Sequence, residues 1–150
     1  MTQLVDDQIL GSLLRGGEPP SPGEPVFTTG CWYVRLCHAV MNASERAGVL
    51  SGPFTAQPPS IRQQAVSKLM ELPDGIGLLS LRTLGPLMGG LRRRHRLNLL
   101  GMEALAAAVH LQADVFLASE SPQLQDALQA EDLRVEVISV EETGGKGCDA

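Results

Sequence analysis

Aromatic residues are scarce in this chain, 3% of 150 residues, with one Trp, one Tyr and three Phe. Its core must therefore be built from Leu, Val, Ile and Ala, and Trp32 and Tyr33 read as core and groove-lining residues, not as a base-stacking platform. Cysteine is scarce too, and Cys31, Cys37 and Cys148 include no CxxC pair. That excludes a disulfide framework, a thioredoxin motif and a zinc ribbon. Lysine occurs only at Lys68 and Lys146, neither placed as a response-regulator receiver requires. There is no GxxxxGK[ST] and no GxGxxG, so a nucleotide cofactor has no support. No apolar run approaches the roughly 18 residues that span a bilayer. The opening MTQLVDDQIL has no basic region and meets acid at Asp6, unlike a secretory signal. With an odd cysteine count, this reads as a reduced, cytoplasmic protein. The arginine-rich, lysine-poor balance suggests a bacterial source. A net charge of -5 argues against a protein that coats nucleic acid over its whole surface.

What remains is enough chain for one domain with a sizeable core. Residues 1–140 read as that domain, and the polar tail 141–150 as disordered. Gln3-Leu4-Val5 predicts a short strand followed at once by a helix, Asp7 to Leu14, capped by Asp7 and stopped at Gly16-Gly17. Residues 17–30 and 48–59 read as Pro/Gly-rich loops. Between them, apolar spacing predicts a helix over Cys31 to Ala43. Ser60 is placed to cap a further helix that Pro73 ends. Ile76 to Ser80 has the continuous apolar character of a fully buried parallel strand. A helical region from Leu81 to about His95 should break or kink at Gly85-Pro86 and Gly89-Gly90. An alanine-rich helix, Met102 to Leu111, precedes a strand at Asp114 to Ala118. A helix from Ser121 to Ala130 and a last strand, Arg134 to Ser139, complete the order. Strands separated by helices imply an α/β fold, a three-layer α/β/α sandwich around a central, mostly parallel sheet.

Ligands in such sheets bind beyond the carboxyl ends of the strands. Acids follow two of the predicted strands: Asp6 and Asp7 after the first, then Ser119-Glu120 after Asp114–Ala118. Glu103 opens the alanine-rich helix. Converging carboxylates are what a Mg2+- or Mn2+-dependent phosphodiester nuclease needs. Each acid also has a plainer reading. Asp6 could cap a helix, Glu103 could be a first-turn dipole acid, and Glu120 could be simple N-terminal negative charge. His38 and His110 read as ordinary packed or surface histidines, since neither has a His or Cys at i+3 or i+4.

Leu4-Val5-Asp6-Asp7-Gln8-Ile9-Leu10, together with Glu103-Ala104-Leu105-Ala106-Ala107-Ala108-Val109 and Gln112 to Glu120, resembles the PIN domain, a nuclease fold common in bacterial toxin ribonucleases. The resemblance covers about residues 2–14 and 97–140, and the middle only through element order. It implies a metal-dependent ribonuclease of RNA metabolism or a toxin-like module. Asp6, Glu103 and Glu120 would then be the catalytic and metal-binding acids, with Asp7, Arg35 and Ser119 lining the site. The expected metal is Mg2+ or Mn2+, the substrate RNA, the assembly a homodimer, and an antitoxin partner is undefined. Two departures weaken the pattern. The second helix has no acid before Glu45 and carries Arg35 instead, and the third acid is Glu103 where aspartate is usual. The alternative is a degenerate, catalytically inactive binding or dimerisation module in which Arg35 replaces the metal and contacts Asp6 or Glu103.

One charge run stands apart. Arg92, Arg93, Arg94 and Arg96 flank His95, while acids heavily outnumber bases from residue 97 onward. The run either grips nucleic-acid phosphates or satisfies the acidic C-terminal half, within the chain or across a dimer.

Overall fold

The computed structural model describes residues 1–42, 48 and 50–140. The tail expected to be disordered, and Ala43 at the end of the predicted second helix, lie outside the described residues. Five strands form one sheet: β1 (Gln3–Val5), β2 (Val26–Thr28), β3 (Ile76–Leu78), β4 (Asp114–Leu117) and β5 (Val135–Val137). All four pairings are parallel, in the order β3-β2-β1-β4-β5. The helices among the described residues are α1 (Asp7–Leu14), α2 (Gly30–Met41), α3 (Gly52–Thr55), α4 (Pro59–Met70), α5 (Leu81–Leu91), α6 (Leu99–Leu111) and α7 (Pro122–Ala130). None is long and apolar enough to cross a membrane.

The period-2 alternation of strand side chains divides the core into two layers. Leu4, Val115 and Leu117 face Leu84, Leu91, Leu105 and Leu128 from α5, α6 and α7. Val5 and Phe116 face the opposite way, onto Ile9, Leu10, Leu36, Phe54, Ala65 and Leu69. The three-layer α/β/α sandwich follows from this. Residues 101–108 of α6 are buried on every side, which explains why all but Glu103 are small or apolar.

Several elements differ from the sequence expectation. The run 17–30 contains β2, hidden between Pro25 and Gly30. Thr28 is wholly buried there, and its hydroxyl donates to the Val5 carbonyl at 2.8 Å. The loop at 48–59 contains the short helix α3, whose Phe54 fills the core. The strand at Ile76 is not central and fully buried. It stops at Leu78 and forms an edge, with Leu78 41% exposed. Helix α5 is not interrupted at its glycines and proline, and Pro86 lies inside it. Pro86 and Arg82 are both exposed, so water can take up the carbonyl bond that proline cannot make. Pro58, not Ser60, precedes α4. Helix α1 ends as expected, with Gly16 at φ +95° and the Gly17 amide on the Ser12 carbonyl at 2.8 Å.

Candidate functional site: an acidic sheet edge closed by its own hydrogen bonds

The chain runs from β1 outward through β2 to β3, then returns to the other side of β1 as β4. The strand order therefore switches between β1 and β4, where open parallel sheets present their ligand crevice. Asp6 sits there, buried at 5% exposure. Its Oδ1 accepts from the Ile9 amide at 2.9 Å and its Oδ2 from the Ala118 amide at 2.8 Å. The first bond makes Asp6 the N-cap of α1, the role the sequence assigned to Asp7. The second ties the start of that helix to the end of β4. Beside it, Gln8 Nε2 donates to Ser119 Oγ at 2.9 Å, so two bridges close the crevice. Burial pushes the Asp6 carboxyl up to about 6, against the amides of Ile9 and Ala118, which lower it, while Asp7 adds to the rise.

Asp7 points elsewhere. Its Oδ1 accepts from the Gln8 amide at 2.9 Å, and its Oδ2 lies 3.3 Å from Arg35 Nε without hydrogen-bond geometry. Its side chain is 6% exposed and that of Arg35 60%. Burial raises the Asp7 carboxyl and Arg35 opposes the rise. The expected contact of Arg35 with Asp6 or Glu103 is thus corrected. Among the described residues its acidic partner is Asp7, because Asp6 has turned inward to cap α1. A cavity of about 100 Å³ adjoins this pair, lined by Asp7, Gln8, Gly11, Arg15, Leu36, Leu50, Pro53 and Val140. It has room for water molecules.

Glu103 is 1% exposed. Helix α6 begins at Leu99, with Asn98 accepting from the Gly101 amide at 2.8 Å. That places Glu103 in the second turn, not the first, and removes its role as a dipole acid for its own helix. It serves another helix instead. Oε1 accepts from the Cys31 amide at 2.6 Å, at the start of α2, where Thr29 Oγ1 accepts from Trp32. Oε2 is buried with no hydrogen-bond partner. Burial raises the Cys31 thiol, and Glu103 adds to that rise. Glu120 is exposed and has no polar partner among the described residues.

A Mg2+ or Mn2+ ion would need several of these oxygens turned to one point. Asp6 faces two amides, Asp7 an arginine and Glu103 a helix N-terminus. Among the described residues no three His, Cys, Asp or Glu side chains gather closely enough to hold a metal. As arranged, the donors do not fit such a centre. The Thr29 cap and the reach of Glu103 to α2 escape sequence reading. Thr29 before Gly30-Cys31-Trp32 was a legible capping signal, whereas no local pattern announces a bond between residues 31 and 103.

The class defined by this topology is an α/β/α sandwich with a five-stranded parallel sheet and an acidic residue at its switch point. No family model matches the chain, and no curated protein does. Among solved structures, the chain is similar to VapBC-1 from nontypeable Haemophilus influenzae, determined at 2.2 Å, with a TM-score of 0.47 and 14% identity over 91% of this chain and 98% of that one.

Proposed function

We propose that this chain is a PIN-like module whose acidic sheet edge serves as architecture, a catalytically inactive binding or dimerisation domain. The observation that carries this reading is Asp6. Both of its oxygens engage backbone amides that hold α1 and β4 together. The adjacent charge, on Asp7, is met by Arg35. In the toxin-type form of this reading the partner would be an antitoxin protein.

A second reading, a Mg2+- or Mn2+-dependent ribonuclease, draws support from two oxygens. Asp7 Oδ2 and Glu103 Oε2 are both buried without a hydrogen-bond partner, and such atoms are normally satisfied. One experiment separates the readings. The unaltered protein is titrated with Mn2+ while its melting temperature is followed, then incubated with single-stranded RNA and Mn2+. The architectural reading expects no melting shift and no cleavage. Mn2+-dependent cleavage that Asp6→Asn abolishes would overturn it.

A further inference from the structure

The turn between α5 and α6 carries the arginine run, and part of its charge is neutralised inside the fold. Arg92 Nη1 donates to the Leu97 carbonyl at 2.8 Å. Arg94 Nε and Nη2 donate to Glu131 Oε1 at 3.1 and 2.9 Å, and His95 Nε2 lies 2.8 Å from the same oxygen. These contacts fix the turn to the end of α7. Arg93 and Arg96 are exposed, and among the described residues neither meets an acid. That turn offers one sign of charge. Helix α4 offers both, with apolar surface between them.

Side chains four apart on a helix form ridges, and the space between two ridges is a groove that accepts a ridge of another helix. On α4 the ridge of Ala65 and Leu69 is buried, and the Tyr33 hydroxyl donates to the Leu69 carbonyl at 2.5 Å, which holds the helix against α2. The next two ridges, Arg62-Val66-Met70 and Gln63-Ser67-Glu71, border an open groove of about 680 Å³. Among the described residues, its whole lining lies between Pro59 and Glu71. Met70 on its wall is 56% exposed. Arg62 and Glu71 stand toward its two ends, and among the described residues neither meets an opposite charge.

The spacing is self-complementary. About a two-fold axis between Val66 and Ser67, two antiparallel copies of α4 set Arg62 opposite the other copy's Glu71, and Gln63 opposite its Met70. Val66 meets the small Ser67 at the centre, where the two helices come closest. A closed two-fold pair requires that each group on one surface find its complement on that same surface. A helix of another protein would need these charges in this order, and a second copy of this chain has them. We propose that α4 pairs antiparallel with α4 of a second copy of this chain, the ridges of each seated in the groove of the other and the helices crossing at roughly 50°. The proposal rests on the dimerisation form of the module reading and gives it a surface. The 12 residues of α4 make a helix ~18 Å long. One such helix pair buries less than the roughly 800 Å² per partner of a standard interface, so the dimer is weak and reversible.

The test is sedimentation of the full chain from about 5 to about 500 μM, the range in which a weak pair forms and parts. The mass should rise with concentration from one chain toward two and stop there. Arg62→Glu or Glu71→Arg sets like charges together at both ends of the pair, and each should weaken it by about tenfold or more. The double variant Arg62→Glu/Glu71→Arg should pair again. So should the two single variants mixed in equal amounts, since one then presents two acids to the other's two arginines. Neither side chain makes a hydrogen bond or ion pair among the described residues, and an unchanged melting temperature shows that the fold persists. A chain that stays single at every concentration overturns the proposal, removes the dimerisation form of the module reading with it, and leaves the groove to a helix of another protein. A dimer that neither single variant weakens overturns the proposal alone and places the interface elsewhere. A loss that neither the double variant nor the mixture restores, or a mass that climbs past two chains, overturns the antiparallel pairing. None of these outcomes depends on the Mn2+ titration that tests the acidic edge.

Discussion

The Asp6 carboxylate and the Ala118 amide, 112 positions apart in sequence, are joined at 2.8 Å. The bond crosses the point where strand order reverses. Asp6 therefore acts as a clasp on the crevice in which a ligand would otherwise sit, and it does so from a buried position that disfavours its charge.

That burial makes stability depend on pH with a definite sign. The Asp6 carboxyl titrates near 6 in the fold against 3.8 when unperturbed. Between those values the folded state binds more protons than the unfolded state, so stability falls as pH rises from about 4 to about 6 and then levels. Asp7, also raised by burial, contributes in the same direction. The Asp6 share is on the order of 2–3 kcal/mol, at about 1.4 kcal/mol per unit. Urea unfolding at pH 4, 5, 6 and 7 should show the decline, and Asp6→Asn should flatten most of it. A wild-type curve rising over that interval would show that the carboxylate is better solvated than its burial indicates. Asp6→Ala, which removes both acceptors, should cost about 2–3 kcal/mol at pH 5 through loss of the cap and of the Ala118 bond.

Arg35 offers a contrast, because only one member of its pair is buried. With the arginine side chain 60% exposed, solvent screens the contact. Arg35→Ala should lower stability by about 1 kcal/mol, as for a surface pair, and not by the larger amount that follows breaking a buried pair. Asp7 would then keep its burial without its counter-charge, so its carboxyl should rise further. Carboxyl titration followed by NMR in wild type and Arg35→Ala checks this directly. An Asp7 that titrates identically in both would remove any electrostatic role for Arg35.

The strand-helix alternation was legible because β1 and β4 are short apolar runs and α6 is rich in alanine, although α6 begins at Leu99 and not at Met102. What escaped was short. Strand β2 is three residues long within a Pro/Gly-rich stretch, and its identity comes from pairing with β1 and β3, not from its own composition. The apolar character of Ile76 to Ser80 was read as full burial, yet sheet order places the strand at an edge, and order is a tertiary property. At the site, the residue types were right and their directions were not. The sequence favoured Asp7 over Asp6 as the cap, and the geometry of the strand-to-helix junction gives that place to Asp6. The arginine run was readable as a cluster. Its division into held and free members depends on Glu131, which lies on the far end of a different helix.

Gly77 is the position in the edge strand where a side chain has no room. It pairs directly with Phe27 on β2, and a Cβ there would stand 2.4 Å from Phe27 Cε1. The aromatic ring covers the glycine and must move if it is replaced. Gly77→Ala should cost about 1–3 kcal/mol, the usual range for overpacking. Gly75→Ala serves as the control, since nothing lies near its Cβ position. Thermal melts of the two variants should differ, and equal melting temperatures would mean that the Phe27 ring moves aside freely.

Glu103 separates an architectural acid from a metal-binding one most sharply. Its Oε1 accepts from the Cys31 amide at 2.6 Å, and that amide is one of the first-turn donors that α2 cannot satisfy internally. Glutamine keeps an acceptor for Cys31 and places an amide group where Oε2 now has no partner. Glu103→Gln should therefore stay within about 1 kcal/mol of wild type. Alanine removes the acceptor and leaves a void in a helix that is buried all round, so Glu103→Ala should cost about 3 kcal/mol. Aspartate, one methylene shorter, should fall nearer to alanine because it cannot reach across to α2. If the carboxyl instead exists to hold a divalent ion, the order changes in a different measurement: glutamine would remove Mn2+-dependent stabilisation while leaving the metal-free melting temperature intact. Melting curves of the three variants with and without Mn2+ give both answers. A Glu103→Gln protein as unstable as Glu103→Ala would refute the capping role, because it would mean that the charge matters to the fold and the hydrogen bond does not.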